Sequence, residues 1–296
     1  MKRTGFIAIV GRPNVGKSTL LNAILGEKVA IVSNKPQTTR NRITGIHTVG
    51  EDQFVFLDTP GIFKPRNALG EYMVKTASST MGEADAVVFV ADAGREVTEA
   101  DREIIEGIRT VGLPCVLVLN KVDLCRGEQV GKALQAYSEI FDFAAYVPLC
   151  AKRGDGVQAL LSECAKFLAP GDWFFPDDIA TDQPERQMAA EIIREKLLRT
   201  LDKEVPHGIA VVIEQFKDEG TLLRISANIY CEKDSHKGII VGKNGSELKL
   251  VGSYARQDME KLFGVKVFLQ LWVKVKANWR ESEQVVGNFG YRRDED

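Results

Sequence analysis

The chain lacks the features that hold small secreted proteins and membrane proteins together. Its 296 residues include five cysteines, Cys115, Cys125, Cys150, Cys164 and Cys231, an odd number with no C-x-x-C pair. That argues against a disulfide framework or a zinc site and suits a reducing cytosol. The three histidines, His47, His207 and His236, are too scattered for metal-ligand spacing. No apolar run approaches the ~18 residues needed to span a bilayer. The opening Met-Lys-Arg-Thr and the short apolar stretch after it fall short of a secretory signal. A dominant charge of one sign is also missing. The net charge is −2, so any nucleic-acid binding has to come from a local patch. What remains is ordinary globular composition, 44% hydrophobic and 27% charged, in a chain long enough for two domains.

One stretch organises the rest. Gly11-Arg12-Pro13-Asn14-Val15-Gly16-Lys17-Ser18 fits G-x-x-x-x-G-K-[ST], between an apolar run, Phe6 to Val10, and a helix opening, Thr19 to Leu25. Glycines let the backbone N–H groups face a phosphate, and the helix N-terminus adds positive potential. Lys17 can reach the β- and γ-phosphates, and the Ser18 hydroxyl can hold Mg²⁺. Residues 33–42 read as a mobile polar loop. In it Thr39, with Thr38 beside it, is the candidate to close over the metal and the γ-phosphate. Strands over Arg42–Val49 and Gln53–Asp58 form a hairpin around Gly50-Glu51-Asp52, which makes the first an antiparallel edge. The second ends in Asp58-Thr59-Pro60-Gly61, where Asp58 can hold Mg²⁺ through water and the Gly61 N–H can approach the γ-phosphate.

Helices over residues 66–82 and, from the capping box Thr98-x-x-Asp101, through Ile108 alternate with apolar strands at 86–91 and 115–119. The last of these runs into Asn120-Lys121-Val122-Asp123. Asp123 can accept from guanine N1 and its 2-amino group, donors that adenine lacks. Asn120 can tie this loop to the phosphate loop, and the Lys121 stem can lie over the base. After a short strand at 146–149 comes Cys150-Ala151-Lys152, whose Ala151 N–H can donate to guanine O6. Every candidate thus falls at a strand's C-terminal edge, where open α/β sheets bind ligands.

The pattern stops near Ala169-Pro170-Gly171-Asp172, and Trp173 to Pro184 reads as a linker. A helix over Glu185–Lys203, two strands, a second helix, the loop Gly242-Lys243-Asn244-Gly245, a third helix over Ser246–Phe263 and a strand over Lys266–Lys276 follow. That is the α-β-β-α-α-β order of a KH module, whose G-x-x-G loop clamps the backbone of about four nucleotides. From Lys233 to Lys276 there are nine Lys/Arg against four Asp/Glu, a basic stripe fit for RNA phosphates. Lys249 flanks the loop. On the last strand Trp272, Lys274 and Lys276 share one face, where the aromatic can stack a base or instead pack on the tail or the first domain.

With G-R-P-N-V-G-K-S, D-T-P-G, N-K-V-D and a C-terminal KH module, the chain resembles the bacterial Era family of GTPases over nearly its whole length. Pro36-Gln37-Thr38-Thr39-Arg40, Glu191 to Leu197 and Leu271 to Lys276 match as well. The resemblance implies three parts. Residues 1–172 would be a phosphate-loop GTPase with a doubly wound, mostly parallel sheet, residues 173–184 a linker, and residues 185–296 a type II KH domain with a C-terminal tail. It implies GTP/GDP and Mg²⁺ as ligands, with Gly11, Asn14, Val15, Gly16, Lys17, Ser18, Thr19, Asp58, Gly61, Asn120, Lys121, Asp123, Cys150, Ala151 and Lys152 at the nucleotide. Ser18, Thr39 and Asp58 would be at the metal, and Gly242, Lys243, Asn244, Gly245, Lys249, Trp272, Lys274 and Lys276 at RNA. It implies the 3′ end of small-subunit rRNA and the 30S subunit as partners, a cytoplasmic protein partly peripheral on the inner membrane, and a monomer.

Two positions depart from what such GTPases show. The family's Ser-Ala-Lys is Cys150-Ala151-Lys152 here, and Ile62 stands where many regulatory GTPases place a water-orienting glutamine. Hydrolysis then has to be slow, or to use Lys17, Thr39, the Gly61 backbone, water and a supplied positive charge. K⁺ held near Asn14 is the expected source of that charge. A GTP-powered RNA-modifying factor and a protein-binding regulator are the alternative readings.

Overall fold

The computed structural model describes residues 1–201 and 205–292, which form two compact units. The first comprises Met1–Ala30, Thr39–Pro65 and Met73–Asp182; the second comprises Ile31–Thr38, Arg66–Tyr72 and Gln183–Asp296. The expected helix end at Lys203 and the last four residues of the tail lie outside the described residues.

In the first unit, in chain order, come β1 (Arg3–Val10), α1 (Lys17–Leu25), β2 (Ile43–Val49), β3 (Asp52–Asp58), α2 (Ala68–Gly82, its first turn in the second unit), β4 (Ala86–Asp92), α3 (Glu99–Val111), β5 (Cys115–Asn120), α4 (Gly127–Ser138), β6 (Ala145–Pro148), α5 (Val157–Cys164) and β7 (Ala169–Pro170). The sheet order is β2-β3-β1-β4-β5-β6; β2 is antiparallel to β3, the next four neighbours are parallel, and β7 pairs antiparallel with β1. The continuous apolar strands follow from cover on both faces. Ile7, Ile9, Val88, Val90, Val116 and Val118 pack with Leu20, Leu21 and Ile24 of α1 and Leu160 of α5. Their alternates Ala8, Val10, Val87, Phe89, Leu117 and Leu119 pack with Ile104, Ile105 and Ile108 of α3 and Tyr137 of α4. Each sealed aliphatic side chain contributes roughly 1.5–3 kcal/mol. That drive holds the strand ends, and the loops on them, in register.

Residues 173–181, which show no period and read as linker, are bound along the first unit rather than loose. Gln53 Nε2 donates to Phe175 O at 2.8 Å, Ile46 N to Ala180 O at 2.8 Å, and Thr181 Oγ1 to Thr44 O at 2.7 Å. The edge strand β2 has unpaired backbone groups, and this segment satisfies some of them.

The second unit holds α6 (Glu185–Thr200), β8 (Ala210–Asp218), β9 (Leu222–Cys231), α7 (Asp234–Val241), α8 (Ser246–Phe263), β10 (Lys266–Val275) and α9 (Glu283–Asn288). Its sheet runs β10-β9-β8, with β10 parallel and β8 antiparallel to β9. One sheet face, Ile225, Ala227, Ile229, Val267 and Val273, packs on Ile193 and Leu197 of α6, Ile240 of α7, and Val251, Ala255 and Met259 of α8. After β10 the chain turns at Trp279, which is fully buried and donates from Nε1 to Gly208 O at 2.9 Å.

Candidate functional site

The turn from β1 into α1 needs two left-handed residues, Asn14 (φ 64°) and Gly16 (φ 104°). A Cβ on Gly16 would lie 2.3 Å from Asn120 Nδ2, so only glycine fits there. Lys17 opens α1, is 6% exposed, and donates from Nζ to Gly11 O at 3.1 Å and Arg12 O at 3.0 Å. Burial pulls its pKa from 10.5 down to about 8, against the opposing pull of Asp58.

Next along α1, Ser18 Oγ lies 2.8 Å from Thr39 Oγ1 and donates to Asp58 Oδ2 at 2.6 Å. Asp58, at the end of β3, is fully buried, and its Oδ1 has no hydrogen-bond partner. Burial raises its pKa from 3.8 to about 6, with Lys17, Ser18 and Thr39 opposing. A buried carboxylate oxygen left unsatisfied beside two hydroxyls is a hard-oxygen donor set that fits Mg²⁺. Thr38, the neighbouring candidate, is turned elsewhere; its Oγ1 donates to Lys35 O at 2.7 Å and pairs with Ser33 Oγ at 2.7 Å. Gly61 abuts the phosphate loop so closely that a Cβ on it would be 2.7 Å from Pro13 N. Ile62 donates its N–H to Gly11 O at 3.3 Å, and its side chain packs against the α3–α4 core.

At the far end of the loop, Asn120 Nδ2 donates to Val15 O at 2.8 Å, and Asn120 Oδ1 accepts from Lys121 N at 2.8 Å and Ala151 N at 3.0 Å. The Ala151 N–H, expected to be free for guanine O6, is thus already engaged by Asn120, because β5 and β6 end side by side. Lys121, left-handed at φ 66°, donates from Nζ to Asn14 O at 2.7 Å and Asp92 Oδ2 at 2.8 Å. Asp123 is held below the ordinary carboxylate range, first by a hydrogen bond from the Cys150 thiol, with Arg153 and Lys152 adding smaller attractions. The thiol therefore bonds Asp123 at the position where the family has a serine.

The segment before Thr39 belongs to the second unit. Arg194 of α6 donates to Thr38 O and pairs with Glu191, while Val32 N donates to Glu195 Oε1 at 3.2 Å. Arg199 bonds Val32 O at 3.1 Å and Glu195 at 2.9 Å. Adjacent residues, Thr38 and Thr39, are therefore anchored in different units.

In the same unit Gly242 (φ 72°) starts the G-x-x-G loop; a Cβ there would sit 2.6 Å from Glu247 Cγ. Asn244 is also left-handed, and Gly245 caps α8. A groove of about 390 Å³ opens beside it, lined by Gly245, Lys249, Gly252, Arg256, Leu269 and Leu271 among others. Trp272, Lys274 and Lys276, expected to share one face of the last strand, do not line this groove. Strand alternation turns Leu269 and Leu271 toward it and Trp272 and Lys274 to the opposite face, where Trp272 is 47% exposed. Lys276 lies just past β10, with its N–H on Cys231 O at 2.8 Å. Sequence reasoning counted Arg256 in the basic stripe without singling it out, and it missed the two leucines. The stripe Gly245, Lys249, Gly252, Arg256 along α8 was the available signal.

A phosphate loop, a hydroxyl–carboxylate cluster and an N-K-x-D loop on one edge of a mostly parallel sheet, joined to a G-x-x-G module, define a P-loop GTPase with an appended KH domain. Residues 6–121 match the family described as 50S ribosome-binding GTPase, and residues 204–280 match the KH domain family. GTPase Era of Clostridioides difficile is 50% identical over 294 residues, covering 98% of this chain and 99% of its own length. GTPase Era of Ruminiclostridium cellulolyticum is 48% identical over 291 residues, with 98% of each covered. Two solved Era structures overlay closely, each at 39% identity. One, from Aquifex aeolicus and bound to GDP·AlF₄⁻, has a TM-score of 0.95 and covers 98% of this chain and 100% of that one. The other, in complex with MgGDPNP and nucleotides 1506–1542 of 16S ribosomal RNA, has a TM-score of 0.94 and covers 99% and 100%. The chain belongs to the Era family of GTPases.

Proposed function

We propose that this GTPase is a nucleotide-driven switch that binds the 3′ end of small-subunit ribosomal RNA and assists assembly of the 30S subunit. The observation that carries the switch is the split at Thr38–Thr39. The Thr39 hydroxyl sits with Ser18 and Asp58, while the Thr38 carbonyl is held by Arg194. Whatever pulls on Thr39 pulls on the segment packed against α6. The RNA target is supported by the 39%-identical Era solved with nucleotides 1506–1542 of 16S rRNA.

At the nucleotide site, N–H groups of Gly11 and of Asn14 to Thr19, with Lys17, hold the β- and γ-phosphates, and Asp123 reads guanine through two acceptor oxygens. Ser18, Thr39 and Asp58 would hold Mg²⁺, which when bound would neutralise phosphate charge. Water adds to the γ-phosphorus as its bond to the β–γ bridging oxygen breaks, and GDP departs. Lys17 and the loop N–H groups stabilise the charge moving onto that oxygen, and the Gly61 N–H binds a γ-oxygen. Ile62 cannot orient the water. Asn14 would help hold a monovalent cation, which would supply the positive charge that no side chain at position 62 provides.

On the second unit, Gly242, Lys243, Asn244 and Gly245 clamp single-stranded RNA, with Lys249 and Arg256 on its phosphates. Trp272, Lys274 and Lys276 serve a second stretch of RNA on the other face of β10. RNA modification has little chemical support. Cys115, Cys164 and Cys231 are buried, and burial pushes the Cys164 thiol up to about 12, so none is a ready nucleophile.

Among the described residues no helix is long and apolar enough to cross a membrane. A cytoplasmic monomer with a fraction peripheral at the inner membrane completes the reading. Vesicle co-sedimentation and analytical ultracentrifugation test those two points. The functional test is binding to an RNA copying the 16S 3′ end against a scrambled RNA of equal length. Equal affinity for both would sink the assigned target.

A further inference from the structure

Arg12, the second residue of the phosphate loop, has no part in the motif, yet it is the loop's longest side chain. Its Nε donates to Asp101 Oδ1 at 2.8 Å, and its side chain is 16% exposed. Asp101 is fully buried at the start of α3, and its other oxygen accepts from Thr98 N at 2.9 Å and Thr98 Oγ1 at 2.8 Å. Tyr137 of α4 is buried near the same carboxylate; burial first, then the charge of Asp101, pushes its phenol upward. One side chain thus ties the phosphate loop to α3, which with α4 covers one face of the sheet.

As a stabilising device this cluster is poor. Arg12 Nη2 is buried with no hydrogen-bond partner, and removing a buried ion pair in favour of apolar packing is often neutral. Its value lies in position. The Arg12 and Gly11 carbonyls are the two acceptors of the Lys17 ammonium, at 3.0 and 3.1 Å. Gly11 also takes the Ile62 N–H, and Pro13 abuts Gly61. Arg12 is the link between these fixed points whose own side chain reaches outside the loop to rigid helices.

We propose that Arg12, braced by Asp101 and Tyr137, is a positioning residue for GTP hydrolysis: it sets where the phosphate loop and Lys17 stand relative to the reacting phosphate. The inference rests on the phosphate loop being the nucleotide site. A misplacement of about 1 Å in such a site lowers turnover about a hundredfold. Because most loop N–H groups still reach the phosphates, ground-state binding suffers less than the transition state does.

The test measures kcat and KM for GTP, fluorescent-GDP affinity and Tm for the full chain and four variants: Arg12→Ala, Arg12→Lys, Tyr137→Phe and the double Arg12→Ala/Tyr137→Phe. Arg12→Ala is expected to lower kcat by about 30–100-fold with KM and GDP affinity within about threefold. Arg12→Lys, which keeps a cation within reach of Asp101, should recover at least about a third of the lost activity on a logarithmic scale. Tyr137→Phe, which removes one hydroxyl and no packing, should lower kcat about 3–10-fold. The double variant should be no slower than Arg12→Ala alone, since the two act through one carboxylate. Unchanged kcat, losses that merely track the folded fraction, or effects that multiply in the double variant would overturn the brace. If Arg12→Ala does not fold, Tyr137→Phe decides alone, a kcat loss at unchanged Tm supporting the brace and an unchanged kcat overturning it. Unmodified protein that fails to bind GDP at all would instead overturn the site.

Discussion

Nucleotide-free protein should be held below its best stability at neutral pH by Asp58 and Lys17, and acid should relieve part of the burden. Folded, Asp58 takes up its proton near pH 6, against 3.8 when unfolded. The folded state then binds more protons in that window, so stability is greatest below about pH 4 and is lost as pH rises through 6. Lys17 has the opposite sign. Its folded pKa near 8, against 10.5, means stability returns only as pH climbs from 8 toward 10.5. Between roughly pH 6 and 8 both groups are charged and buried, and Asp58 Oδ1 has no hydrogen-bond partner. For Asp58 alone, moving from pH 7 to pH 5 should return roughly 1–1.5 kcal/mol, which is about 2–6 °C in Tm for a unit of this size. Other groups titrate in the same range, so the informative comparison is with Asp58→Asn. Thermal unfolding of nucleotide-free protein at both pH values should show the native chain gaining on the variant as pH falls. Adding MgGDPNP at pH 7 should raise the native Tm and leave the variant's nearly unmoved. Identical pH responses in the two proteins would refute the reasoning, because the Asp58 carboxyl would then be exchanging its proton in an ordinary environment.

Four further outcomes follow from the same geometry. Cys150→Ser, a better donor to Asp123 than the thiol, should tighten GDP binding about two- to fivefold, and Cys150→Ala should loosen it similarly, read by fluorescent-nucleotide titration. Gly16→Ala combines a left-handed φ with a 2.3 Å approach to Asn120 and should cost nucleotide affinity at least about a hundredfold. Native turnover should be faster in potassium than in sodium buffer, and Asn14→Ala should erase the difference. Lys249→Glu and Arg256→Glu should each weaken RNA binding and lower the slope of log affinity against log salt by about 0.7 for every RNA phosphate left without its cationic partner.

Much of this site was readable because its parts are local. The phosphate loop, the Thr98–Asp101 capping box and the N-K-V-D loop are each fixed by spacing within one turn, and continuous apolar strands announce a sheet covered on both sides. What was not legible depends on distance or on backbone. Arg12 meets Asp101 across 89 positions, and no pattern in either stretch marks the partner. Residues 173–181 meet β2 and β3 through single bonds of mixed kind, Ile46 N to Ala180 O, Thr181 Oγ1 to Thr44 O and Gln53 Nε2 to Phe175 O, and bonds so scattered leave no periodic signature. Period-two alternation on β10 was visible, but which of its faces the helices cover was not. Trp272 and Lys274 thus face away from the groove that Leu269 and Leu271 line, a division the alternation alone does not reveal. Ile31–Thr38 reads as a polar loop after α1, and nothing in it foretells that Arg194 and Arg199 hold it in the second unit.

The most direct test of the switch is the affinity of the full chain for an RNA copying the 16S 3′ end, measured with GDP and with GDPNP across a salt series. The account predicts tighter binding with GDPNP, a gap that closes in Thr39→Ala, and a salt slope that reports the KH module's grip on phosphates in both states. Equal affinity with the two nucleotides, at every salt concentration, would contradict it.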